Sequence, residues 1–182
     1  QYVSVQNQYA TVSFPAACKS SPFYFSMVFP YQPTSINWQF NGLFTDVSIL
    51  NPVYDNTFIV NGKQLYQYKL PNPYTINAAG SYPIRVIANN PTPDGCSGEQ
   101  QIDYILQVFD PPLADFSYSP VCFPNPVQFA ENNNTGGRPV ISRYWEFGDA
   151  ATAINSNPSH AYAAPGTYNA RFALITDVGC LS

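Results

Sequence analysis

Few residues in this sequence could do covalent or acid–base chemistry, and they stand apart from one another. His160 is the only histidine. A hydrolytic triad needs a nucleophile and an orienting acid around such a ring, and the sequence has no Gly-x-Ser-x-Gly element to supply the nucleophile. Asp149 directly follows Gly148, which places it better for capping turn amides than for catalysis or calcium binding. Paired acids for glycoside hydrolysis must face each other across a cleft, and only Glu99, Glu131 and Glu146 represent glutamate. No catalytic residue is assigned, and the chain is read as not an enzyme.

Metal chemistry is also poorly provided for. Cys18, Cys96, Cys122 and Cys180 form no Cys-x-x-Cys pair, and one histidine beside them does not complete a tetrahedral zinc site. Calcium needs several converging oxygens. Asp46, Asp55, Asp94, Asp110 and Asp115 fall in expected loops or domain edges, without the order of an EF-hand loop. No cofactor is expected, and calcium beside the connector near Asp110 is the one cation considered. Tyr54, Tyr66, Tyr68 and Tyr74 form a candidate ligand surface, because tyrosine offers a flat apolar face with a polar tip. Tyr66 and Tyr68 also alternate as an ordinary strand would.

The elements that carry these residues are expected to be strands. Aromatics make up 16% of the sequence and charged residues only 10%, a composition suited to pleated, half-buried surfaces. Eighteen prolines and ten glycines are scattered among short alternating runs, and no Pro-free amphipathic stretch of helical length is present. Seven Lys and Arg stand against eleven Asp and Glu, for a net charge of −4. The cations are dispersed, which argues against nucleic acid. No apolar run reaches membrane-spanning length, so no direct membrane insertion is expected.

The sequence repeats internally. Ser35-Ile36-Asn37-Trp38-Gln39-Phe40 matches Ser142-Arg143-Tyr144-Trp145-Glu146-Phe147, and Gly80-Ser81-Tyr82 matches Gly166-Thr167-Tyr168. Cysteines bracket each copy. Four cysteines allow three pairings, and the spacing favours Cys18 with Cys96 and Cys122 with Cys180. Such bonds imply an oxidising, extracytoplasmic compartment. The boundary falls at the stiff Asp110-Pro111-Pro112 connector, giving domains 1–110 and 111–182. Residues 1–5 resemble the strand before that connector and read as the last strand of a preceding repeat, or Gln1 as a mature terminus left by signal-peptide removal. The second copy stops short of its final strand.

The second copy resembles the PKD (polycystin) domain family. The resemblance rests on Tyr144-Trp145-Glu146-Phe147-Gly148-Asp149, Pro158-Ser159-His160-Ala161-Tyr162 and Pro165-Gly166-Thr167-Tyr168, with Ala150 where a glycine is often found. The first copy is a divergent relative. Asn41-Gly42 replaces Gly-Asp, Tyr74 to Ile76 replaces His-x-Tyr, and about 21 extra residues follow Trp38. The resemblance implies an all-β chain of two tandem immunoglobulin-like, PKD-type β-sandwiches, each with one disulfide. It also implies core roles for Trp38, Phe40, Trp145 and Phe147, the tryptophan packing against the disulfide, and a strand role for His160. The cysteine-bracketed form resembles repeats of large secreted Bacteroidetes surface proteins, including gliding-motility adhesins exported by type IX secretion. The implied function is non-catalytic adhesion or spacing at the cell surface or in the extracellular space. Its partners would be neighbouring repeats of the same chain, surface polysaccharide or another cell-surface protein. The alternative is a carbohydrate-binding accessory segment of a secreted polysaccharide-degrading enzyme.

Overall fold

A computed structural model describes residues 11–12, 16–91 and 98–182. Residues 1–5, Asp94 and Cys96 lie outside that range, and with them the reading of residues 1–5 and the Cys18–Cys96 pairing. Every regular element among the described residues is a strand. The chain divides into two compact units, Gln1–Val108 and Phe109–Ser182.

The first unit is a two-sheet sandwich. One sheet has the order β1 (Thr11–Val12), β3 (Ser26–Phe29), β7 (Lys63–Lys69), β6 (Asn56–Val60). The other runs β2 (Ala16–Cys18), β9 (Gly98–Phe109), β8 (Gly80–Asn90), β4 (Ser35–Gln39), β5 (Val47–Leu50). In chain order these are the A-B-E-D and G-F-C-C′ arrangements of an immunoglobulin-like fold. Period-two alternation explains the facing core. β4 turns Ile36 and Trp38 inward, β8 turns Ile84, Val86 and Ala88 inward, and Met27, Phe29, Tyr68 and Leu70 oppose them. The extra residues after Trp38 fall beyond β5, which pairs with β4 as β13 pairs with β12, and form β6 and β7. A two-residue turn at Asn61-Gly62, with φ of 50° and 76°, joins the last two, as a twisted hairpin requires.

The second unit pairs two three-stranded sheets. These are β10 (Phe116–Tyr118), β11 (Val127–Glu131), β14 (Ser159–His160), and β13 (Thr152–Ala153), β12 (Val140–Glu146), β15 (Arg171–Thr176). Phe129, Trp145 and Phe147 are its buried centre. Arg143 on β12 donates two hydrogen bonds to Glu131 on β11, at 2.8 and 3.0 Å. This bidentate, half-buried pair ties one sheet to the other.

The Cys122–Cys180 pairing is not formed. Cys122 is a free, exposed thiol, whereas Cys18 and Cys180 are disulfide-bonded. The topology explains why. Cys180 follows the turn after β15, its carbonyl accepting from the Thr176 amide at 3.0 Å, and Thr176 lies opposite Val140 at the start of β12. Cys122 lies between Val121 and Phe123, which share a groove with Pro165 to Ala170 beside the start of β15, opposite the end of β12. Those ends of β12 are about 20 Å apart at strand rise, whereas a disulfide needs Cα atoms within about 7 Å. The place expected of a disulfide against Trp145 is taken by aromatic rings. Phe172 stacks on it at 4.1 Å, and Phe116 and Phe129 lie at 5.3 and 5.8 Å.

Candidate functional site

The sequence-predicted motif residues gather at one end of the second unit. β12 ends at Glu146, and Phe147 continues inward before the chain turns through Gly148 and Ala150, both with positive φ. The turn is closed by the Phe147 amide donating to the Ala151 carbonyl at 3.1 Å and by the Ala151 amide donating to Asp149 Oδ1 at 3.1 Å. The other carboxylate oxygen, Oδ2, lies 2.7 Å from His160 Nε2. The His160 hydrogen bond is the largest influence on the Asp149 carboxyl and, with help from the Ala151 amide, holds it below its ordinary range against desolvation, which opposes it.

The imidazole is wedged among rings. It lies parallel to Phe147 at 4.3 Å and edge-on to Tyr162 at 4.6 Å. Tyr162 donates to the Phe147 carbonyl at 3.0 Å and stacks on Tyr168 at 3.9 Å. Tyr168 in turn donates to the Ala164 carbonyl at 2.9 Å, reaching back across Gly166. This is the tyrosine corner of immunoglobulin-like sandwiches. Gly148 completes the arrangement, because a Cβ there would meet the Asn169 backbone at 2.7 Å. The side chains that could have done chemistry are thus partners of one another. Together they join the β12–β13 turn, β14 and the approach to β15.

The first unit builds the same arrangement from different residues. Trp38 and Phe40 stack at 6.5 Å and 13°, Trp145 and Phe147 at 6.5 Å and 12°. Phe25 meets Trp38 at 5.8 Å as Phe129 meets Trp145. Tyr82 donates to the Ala78 carbonyl at 2.9 Å, repeating the corner at Tyr168. Tyr74 packs on Phe40 at 5.5 Å, where His160 packs on Phe147. Sequence reading saw the matching Gly-x-Tyr triplets but missed the corner. A tyrosine two residues after a turn glycine, at the start of a strand, was the available signal.

The four tyrosines of the candidate ligand surface do not assemble into a platform. Tyr54 packs on half-buried Tyr66 at 5.4 Å. Tyr68 is in the core beside Phe29 at 5.9 Å, its hydroxyl buried without a partner and its pKa pushed up to about 12 by burial and then by Tyr66 and Tyr54. Tyr74 sits among Phe25, Phe40 and Phe44. The loop carboxylates are likewise dispersed. Asp46 accepts from the Phe40 amide, Asp55 from the Lys69 amide and Asp115 from the Phe116 amide. Among the described residues no three His, Cys, Asp or Glu side chains converge on a metal position.

Two open depressions stand out among the described residues. One, of about 610 Å³, is lined by aromatic and proline residues of the second unit, including Phe116, Tyr118, Phe123 and Tyr168. The other, of about 570 Å³, lies in the first unit and mixes polar walls, among them Gln39, Asn41, Asp46, Arg85 and Asp103, with apolar ones such as Ile84 and Ile105. There Arg85 donates to Asp103 at 2.6 and 3.3 Å, and Gln101 donates to the same carboxylate at 2.7 Å.

No curated protein matches the chain in sequence. Among solved structures it is similar to the mouse nectin-like molecule 4 ectodomain (Ig1–Ig3), at 14% identity and a TM-score of 0.37, over 93% of this chain and 59% of that one. It is also similar to the four N-terminal Ig domains of Dscam1, at 13% identity and a TM-score of 0.33, over 94% and 43%. Latent PorU from Porphyromonas gingivalis gives 12% identity and a TM-score of 0.34, over 96% and 18%. The chain therefore spans less than two thirds of each. The PKD domain family matches residues 110–182, the stretch that contains the Trp145, Gly148-Asp149, His160 and Tyr168 lock.

Proposed function

We propose that this chain is a non-catalytic extracellular module that serves adhesion and spacing within a larger surface or secreted protein. One observation carries the reading. Asp149, His160, Tyr162 and Tyr168 are bonded to each other and to backbone, joining separate strands of one sandwich. Residues used in this way stabilise a domain rather than turn over a substrate. Disulfide-bonded Cys18 and Cys180 agree with an oxidising compartment. The deciding experiment compares wild type with Asp149→Asn and His160→Gln, each shown to be folded, for retention of chain-coated beads on cell-surface and polysaccharide substrata under flow. Retention is expected in all three proteins. A hydrolytic activity that vanishes in folded Asp149→Asn would overturn the proposal.

The carbohydrate-binding alternative has one observation in its favour, a cleft on a sheet surface whose wall carries the Arg85–Asp103 pair, with Gln101 donating to the same carboxylate. Hydroxyl-rich ligands are recognised by such paired donors and acceptors. Glycan-array binding lost in Asp103→Ala would support this reading, and array binding unchanged in that variant would remove it.

A further inference from the structure

The β6–β7 hairpin outruns the core that should cover it. Along the inward face of β7 and the residue following it, Leu70 and Tyr68 are buried, Tyr66 is half-buried and Gln64 is exposed. Ile59, paired with Gln64, therefore overhangs the sandwich with 70% of its surface in water. Phe58 and Val60 on the opposite face are exposed as well, and Val53 in the preceding connector is 86% exposed. β6 is also the last strand of its sheet. Natural edge strands are usually protected by charge, proline or a bulge. Asn56-Thr57-Phe58-Ile59-Val60 carries none of these, and it pairs with β7 in unbroken register.

We infer that β6 is a homophilic docking edge, on which a second copy of this chain adds its own β6 antiparallel across a two-fold axis. The hydrogen-bond pattern selects the register. The tight Asn61-Gly62 turn makes Val60 and Lys63 a hydrogen-bonded pair, so alternation sends the amide and carbonyl of Thr57 and Ile59 away from β7. Only pairing Thr57 with Ile59 of the second copy, and Ile59 with its Thr57, uses the outward groups of both residues on both strands. Phe58 then faces Phe58 across the axis as the close, non-hydrogen-bonded pair, a favourable aromatic cross-strand contact. Charge fits this register too, since Asp55 at one end of β6 is carried toward the Asn61-to-Lys63 turn of the other copy. The Thr57 amide, which donates to Asn56 Oδ1 at 2.9 Å, exchanges that local bond for a strand bond.

This pairing goes beyond the adhesive reading and stands on the first unit alone, so it is tested by oligomeric state and not by attachment. Sedimentation velocity of the full chain from low micromolar to several hundred micromolar should show a reversible monomer–dimer equilibrium. Hydrogen exchange should protect the Ile59 amide only at the high-concentration end. Ile59→Pro removes the outward N–H without touching the β7 ladder and should weaken association by about tenfold or more. Ile59→Lys should weaken it as strongly, whereas Ile141→Lys on an exposed site of the second unit should not. Circular dichroism checks that each variant is folded. A wild type that stays monomeric throughout, or a dimer indifferent to both Ile59 substitutions, would overturn the inference, whatever the outcome of the bead-retention experiment.

Discussion

Asp149 Oδ2 and His160 Nε2 lie 2.7 Å apart, a separation that in another setting would mark an acid–base pair. Here the carboxylate's second oxygen holds the amide of Ala151, and the imidazole is stacked on Phe147. The pair fastens a turn to a strand. Removing either partner should therefore cost stability and leave no catalytic deficit to measure. Thermal unfolding of Asp149→Asn and His160→Gln is expected to show the second unit melting several degrees lower, as for loss of a charge-assisted hydrogen bond in a small domain.

The same pair gives a pH dependence with a definite sign. Asp149 has its carboxyl pKa lowered in the folded state, chiefly by His160. The unfolded chain therefore binds a proton more readily as pH falls, so the contribution is present above the ordinary aspartate pKa of about 4 and lost below it. Melting temperature of the second unit should fall more steeply below about pH 4 in wild type than in Asp149→Asn. Parallel curves for the two proteins would contradict the role given to this carboxylate.

Gly148 and Gly62 both have positive φ, yet they should respond differently to alanine. At Gly62 the added methyl meets nothing within 4 Å, so only the backbone preference is lost, about 1 kcal/mol. At Gly148 it would meet the Asn169 amide nitrogen at 2.7 Å and carbonyl oxygen at 2.8 Å. Chemical denaturation should show Gly148→Ala destabilising the second unit by about 3 kcal/mol or more.

Thiol reactivity distinguishes the cysteines. Cys122 should react with a maleimide in the native protein, and Cys122→Ser should change stability by no more than about 0.5 kcal/mol, as expected for an exposed site. Cys180 is fully buried and disulfide-bonded, and Cys180→Ser should cost about 2–5 kcal/mol. Mass mapping of the alkylated native chain checks the first expectation and differential scanning calorimetry the second.

The two tyrosine corners offer an internal control. Tyr82→Phe and Tyr168→Phe remove equivalent hydroxyl donors, to Ala78 and Ala164. Each should cost its own unit about 1 kcal/mol. Calorimetry that resolves the two transitions should show one shifting in each variant.

Much of this architecture was legible in the residues themselves. Trp38 with Phe40 and Trp145 with Phe147 alternate on single strands, and alternation alone obliges each pair to share a face, whatever they pack against. The Gly-x-Tyr triplets and the Asn-Gly and Gly-Asp turns are likewise local, since left-handed backbone geometry is a property of a few consecutive residues. From these the strand content, the repeat and the structural use of His160 could be read in advance. What surrounds a side chain is not local, and there the folded chain decided. Cys122 and Cys180 share a sequence pattern with the first copy's cysteines, but the length of β12 sets them at opposite ends of a sandwich. Tyr66 and Tyr68 alternate as either a core strand or a ligand face would, and only the position of Phe29 opposite them settled on the core. Ile59 belongs to the same hairpin, yet it lies in water because the core ends one pair of residues before it.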